Sequence, residues 1–414
     1  MPPRFVRSVA LACAAAAAPV SVFAQASPAR DAVTPQLDFS GVLFGSYGYR
    51  LDSASRAQFG GREPNQFTLE RAYLNIRMPA GENAQIRITP DVYLNTNNAT
   101  NSFYQGWDVR LKYGYVQYTG LRNRFGPGSS LTSRVGIMQT VVIDYIESFW
   151  PRYLVSAPEE RNGFFSSADA GAGALITLGD KWGEVYATVT NGPGYTQFDR
   201  DRFKDVAARA SITPFARNDR LNPILKTFSI TPWFYRGWIG SNFAAGGAGQ
   251  VGLGTNGAIT DGLQRDRLGL FVGVKERRLT AGFDISQRMD EGETGLNTID
   301  SPRVVVDSTG RLFSSFMIGR PFEWFNPAKH SNFSVLGRFD HFTPNTHPSS
   351  INYADAVPYY NYWLVGAQYD ANQRLTFALD WQVQSPNDFP APVSTNVRPT
   401  PRQSTVFLHW QATF

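Results

Sequence analysis

Between Leu375 and Val383, the side chains of Leu375, Phe377, Leu379, Trp381 and Val383 alternate with Thr376, Ala378, Asp380 and Gln382. A period of two is the mark of a β-strand with one apolar and one wetted face. The last ten residues repeat it, with Val406, Leu408, Trp410, Ala412 and Phe414 set against Thr405, Phe407, His409, Gln411 and Thr413. So do 83–94, where Ile86, Ile88, Val92 and Leu94 oppose Arg87, Thr89, Asp91 and Tyr93, and 265–275. In all, the pattern predicts sixteen strands. Eight lie near 37–50, 66–78, 83–94, 107–119, 131–139, 171–179, 182–190 and 204–215, and eight near 224–236, 265–275, 278–288, 311–320, 331–342, 360–370, 373–384 and 405–414. In 66–78 and 107–119 the phase is ambiguous by one residue, enough to exchange the two faces.

The links sort by parity. Long segments at 51–65, 95–106, 139–170, 191–203, 237–264, 289–310, 343–359 and 385–404 alternate with tight ones such as AGEN, GDK and DANQ; the links near 120–130 and 321–330 are intermediate. An even strand count with turns at one rim and loops at the other predicts an all-β fold, a single transmembrane antiparallel β-barrel over residues 36–414 with the long links extracellular. Spanning backbone must satisfy its own N–H and C=O groups, which a closed sheet does.

Composition narrows the picture. Beyond the N-terminus no run of about 20 apolar residues exists to cross a bilayer as a helix, and the mean hydropathy is −0.28 while 14% of residues are aromatic. The opening residues place Arg4 and Arg7 before an Ala/Val/Leu-rich core and end at Val22 and Ala24. This is the layout of a secretory signal peptide over 1–24, followed by a short flexible tail over 25–35. Cys13, the only cysteine, lies in that segment, so disulfides and thiolate chemistry are not expected of the exported chain. A formal charge of +5 without a concentrated basic face gives no case for nucleic acid. His330, His341, His347 and His409 form no metal-binding or catalytic spacing, and His341 and His347 with Asp355 read as loop residues; no metal, cofactor or enzymatic activity is expected. The run AAGGAGQVGLGTNGAITDG lacks the strand-to-helix context of a phosphate cradle.

Candidate chemistry therefore lies on the inner wall. The alternation assigns Arg71, Arg77, Arg87, Arg110, Lys112, Arg134, Arg209, Arg267, Lys275, Arg338 and Arg374 to the lumen, with Asp91, Asp108, Asp284, Asp340 and Asp380. Two outcomes stay open: pairs such as Arg87 with Asp91, Arg110 with Asp108 and Arg338 with Asp340 only stiffen the wall, or the basic excess draws anions. Segment 139–170 differs from the other links, holding Tyr145, Phe149, Trp150, Tyr153, Phe164 and Phe165 beside Glu147, Arg152, Glu159, Glu160 and Arg161. Folded into the lumen it would bury those rings and present its charges to the channel as a constriction, with Glu147 among them and Arg152 or Arg161 facing wall residues such as Arg87, Arg110 and Lys112 across the narrowest part; left outside, it would serve subunit contact.

The stretches QFTLERAYLNIRMPAGENAQIRITPDVY, WDVRLKYGYVQYT, RVGIMQT and ESFWPRYL resemble the N-terminal half of the phosphate-selective porin family and its general Gram-negative porin relatives. The resemblance implies a sixteen-stranded, homotrimeric outer-membrane channel whose third external loop folds inward, passing small hydrophilic solutes or anions, with outer-membrane lipid and lipopolysaccharide as surroundings. The ending TVFLHWQATF is similar to the signal read by the barrel insertion machinery, which makes Phe414 an assembly residue. No dense basic ladder is visible, so phosphate specificity is not carried over. The rival reading is a surface-exposed structural or receptor barrel without an open pore.

Overall fold

The computed structural model describes residues 37–58, 60–94, 106–197, 199, 201–240, 262–294, 304–326, 328–344, 360–386 and 402–414. The signal-peptide and tail expectations, His347, Asp355 and much of five long links lie outside these residues.

Sixteen strands run in order: β1 (Asp38–Arg50), β2 (Asn65–Pro79), β3 (Ala84–Leu94), β4 (Trp107–Gly120), β5 (Ser130–Gln139), β6 (Ala168–Leu178), β7 (Gly183–Thr190) and β8 (Asp205–Ile212). They continue as β9 (Ser229–Gly240), β10 (Gly262–Glu276), β11 (Leu279–Thr294), β12 (Val304–Gly319), β13 (Phe333–Thr343), β14 (Tyr360–Asp370), β15 (Leu375–Pro386) and β16 (Gln403–Thr413). Each pairs antiparallel with its sequence neighbours, and β1 pairs with β16 to close the barrel. At the seam, Gly41 N–H donates to the Phe414 carbonyl at 2.9 Å and Phe414 N–H donates back at 3.1 Å. A Cβ on Gly41 would run into the Phe414 ring, which explains a glycine there.

Both described chain ends lie at one rim, here the terminal rim, which carries the links after the even-numbered strands. Two boundaries depart from expectation. Strand β9 begins at Ser229 rather than near 224, because Pro223 opens a short helix (Pro223–Lys226) whose first turn is capped by the Asn222 side chain. Strands β11 and β12 pair out to Thr294 opposite Val304, so the link between them is shorter than expected.

Alternation holds on the outside, where Leu268, Leu270, Phe377, Leu379, Trp381 and Leu408 are exposed as a lipid-facing surface requires. The phase ambiguity in 66–78 and 107–119 has a physical cause. Leu69 and Arg71 oppose the adjacent residues Gly45 and Phe44, leaving Glu70 as an extra residue in β2. Likewise Leu111 and Tyr113 oppose Pro90 and Thr89, leaving Lys112 extra in β4. Each is a β-bulge, which turns consecutive residues toward one face. Glu70 and Arg71 both reach inner-wall partners, Ser46 and Asp91.

Candidate pore and constriction

Residues 140–167, between β5 and β6, turn back among the inner faces of the strands. The aromatic excess explains where they rest. Trp150, Tyr153, Phe164 and Phe165 are buried together with Ile143, Ile146 and Leu154 against Trp233, Phe271, Phe316, Leu336, Phe342 and Leu364 of β9 to β14. The inner wall there is thus apolar rather than uniformly polar, because the loop and not water covers it. Each such side chain contributes about 1.5–3 kcal/mol when fully buried, which offsets the cost of about 1–2 kcal/mol for fixing its backbone.

A loop inside a barrel needs partners for its carbonyls, and wall arginines supply them. Arg209 Nε donates to Val141 O at 2.5 Å, Arg288 Nη1 to Asn162 O at 3.0 Å and Arg338 Nη1 to Ser156 O at 2.7 Å; Arg267 donates to Phe164 O. Farther round, Gln382 Nε2 reaches Leu154 O at 3.3 Å and the Tyr153 hydroxyl donates to Gln368 at 2.8 Å. Arg161 lies against this wall too, donating to Gln384 at 2.7 Å and to Tyr360 at 3.1 Å, with its guanidinium 4.0 Å from the centre of the Tyr362 ring.

The wall of β2 to β5 carries a different set. Arg71 and Arg110 share the buried Asp91 at 3.2 and 2.9 Å, and Arg110 lies 4.0 Å from the centre of the Tyr93 ring and 4.8 Å from that of Tyr195. Lys112 Nζ donates to the Tyr73 hydroxyl at 3.1 Å. Arg87 donates to Asn75 at 2.7 Å and lies over Tyr113, and Arg134 donates to Gln117 at 3.0 Å. Across from them the loop presents Arg152, paired with Glu147 at 2.5 Å and with Glu160. Burial raises the Glu147 carboxyl above its ordinary range against the pull of Arg152 and Lys112. Burial works against the charge on Arg152, but Glu147 and Glu160 hold its guanidinium well above its usual value.

Two cavities flank this group. One of about 410 Å³ lies in the half away from the terminal rim, between Phe44, Thr68, Glu70, Arg71 and Tyr93 and the loop residues Arg152 to Ser156. The other, about 660 Å³, lies toward the terminal rim, between Asp144, Tyr145 and Ser148 of the loop and Lys181, Glu184 and Arg209. Both are lined by charges of both signs.

Behind the loop, the turn Pro158–Arg161 buries Glu159 completely, facing Asp284 of β11, with Arg338 paired to Asp340 at 2.7 Å close by. Neither Glu159 carboxyl oxygen has a hydrogen-bond partner among the described residues, which disfavours the charged form in so buried a place. Burial, reinforced by Asp284, pushes Glu159 well above its ordinary value.

Measured against the sequence, Arg71, Arg87, Arg110 and Lys112 come together on the wall opposite Arg152 and Glu147, Arg134 lies beside them against Gln117 and Tyr115, and Arg161 faces the opposite wall. Arg209, Arg267 and Arg338 hold the loop. Arg77 pairs with Asp38 at 3.4 Å near the terminal rim, and Lys275 is exposed at the end of β10. Arg374 is not on the wall: β15 starts at Leu375, and Arg374 is an exposed turn residue. Of the anticipated pairs, Arg338 with Asp340 forms; Arg110 pairs with Asp91, and Arg87 turns to Asn75 and Thr89. Sequence reasoning missed Arg288, although Asp284, Ser286 and Arg288 share a phase, and missed Glu70 because the bulge hides it.

No family model and no curated protein matches the chain. Among solved structures it is similar to an anion-selective porin from Comamonas acidovorans, at 9% identity and TM-score 0.56 over 92% of this chain and 100% of that one. It is similar to OmpF of Salmonella typhi in complex with daunomycin, at 11% identity and TM-score 0.56 over 91% and 98%. The outer membrane channel DcaP of Acinetobacter baumannii gives 10% identity and TM-score 0.56 over 92% and 97%. At such identities the likeness is one of fold: a sixteen-stranded barrel like those of outer-membrane porins in general.

Proposed function

We propose that this barrel is an outer-membrane porin, a passive channel for small hydrophilic solutes with a weak preference for anions. One observation carries the preference. Arg71, Arg110 and Lys112 stand on the wall of β2 to β4 around a single buried acid, Asp91, opposite Arg152 of the loop. Glu70, Glu147 and Glu160 offset much of that charge, which is why the preference is weak and phosphate is not singled out. A homotrimer is part of this reading, as is a role for Phe414 in insertion; deleting Phe414 should lower the amount inserted more than the stability of the finished barrel.

The test is planar-bilayer recording. Steady open levels and a zero-current potential displaced toward the anion in a salt gradient are expected. A cation preference would overturn the selectivity and leave the channel, whereas a barrel with no open level would favour the second reading, a structural or receptor barrel. That reading draws on the near-complete burial of Lys112 and Tyr113 on the wall of β4.

A further inference from the structure

The two rims differ in charge. The links of the terminal rim hold eleven lysines and arginines against four acids, whereas the segments joining strands at the opposite rim hold ten against twelve. Two of those four acids are already engaged: Glu323 is buried against Arg277 at 2.9 Å and lies near Arg320, and Asp219 pairs with Lys226 at 2.5 Å. Arg122, Arg124, Lys181, Arg220, Lys329 and Arg374 are exposed and make no ion pair among the described residues. Large apolar side chains stand beside them, since Phe125, Trp182, Phe215, Phe322, Trp324 and Phe325 are all exposed, Phe325 to 88%. In the helix Pro321–Phe325 the acid Glu323 is buried toward Arg277, and the three rings around it are left exposed.

We infer that the terminal rim is a docking surface for anionic phospholipid headgroups of the leaflet it meets. Cations with neighbouring aromatic rings match that chemistry, the rings seated at the headgroup level and the cations meeting phosphate. The arrangement also favours lipid over a compact acidic partner. These residues belong to links after β4, β6, β8, β12 and β14, so they are spread around the circumference, as an annulus of lipid is, and are not gathered in one patch.

The full chain would be placed in nanodiscs of phosphatidylcholine with a minority of phosphatidylglycerol, and the lipids it retains weighed by native mass spectrometry. The protein should retain phosphatidylglycerol in excess of its share. The variant Arg122→Gln, Arg124→Gln, Arg220→Gln, Lys329→Gln should lose the excess, by up to about fivefold for each cation removed. Arg56→Gln with Arg62→Gln at the opposite rim should keep it. Should the fourfold variant not fold, 1 M salt, with a screening length of about 3 Å, should erase the excess for the unmodified protein. Equal retention of both lipids by the unmodified protein, an unchanged excess in the fourfold variant, or an excess that survives 1 M salt would overturn the inference.

Discussion

The wall of β8 to β13 and the wall of β2 to β5 carry the same residue type at the same phase, yet their arginines do different things. On the first, Arg209, Arg267, Arg288 and Arg338 spend guanidinium donors on loop carbonyls. On the second, Arg71, Arg87, Arg110 and Arg134 donate to no loop carbonyl and meet side chains instead, many of them tyrosine faces. An inward arginine thus becomes a strut where backbone comes within reach and a partner of wall side chains where it does not.

The largest expected effects fall on the strut side. Arg338→Met strands Asp340 in a fully buried site, which should cost about 3–5 kcal/mol, and Trp150→Ala should cost a similar amount through the cavity it leaves. Unfolding midpoints and protease cleavage within 140–167 are the measurements. Arg110→Gln leaves Asp91 with Arg71 and should cost about 1.5–3 kcal/mol, the net worth of a hydrogen bond to a charged group. If it proved as costly as Arg338→Met, the division between the walls would fail. Replacing Arg71 and Arg110 together by glutamine should move the zero-current potential toward cations, whereas Arg288→Gln should alter it much less.

The smallest effect is one of pH. Glu159 holds its proton above the ordinary carboxyl range, so the docked loop binds more protons than a released one. Docking is therefore fully stabilised below the ordinary carboxyl value and loses that contribution as pH rises toward the raised one. Protease cleavage of the loop should increase with pH over that interval, and Glu159→Gln should flatten the profile. An identical profile in the variant would assign the effect elsewhere.

Strands were the legible part. Period-two alternation in 265–275, 373–384 and 405–414 is dense enough to mark both the elements and their lipid faces, because hydrocarbon tolerates few exceptions. Less legible were features that depend on what meets the inner face. Nothing local separates Arg209, which meets Val141, from Arg134, which meets Gln117: both are in-phase arginines, and only the path of the loop distinguishes them. Arg374 fails for another reason. Its phase is correct for β15, but the turn held by the Asn372 side chain still includes it, and the strand begins one residue later.

The two bulges also say where the chain can change length. Elsewhere in a strand, losing one residue inverts every side chain beyond it and puts charges into lipid. Glu70 and Lys112 are the exceptions, because Leu69 and Arg71, and Leu111 and Tyr113, already oppose adjacent partners. Deleting either residue would leave a regular ladder with every other side chain on its present face. A lineage of such barrels could therefore gain or lose these two charges as single-codon insertions or deletions, changing the charge of the inner face without rebuilding the wall.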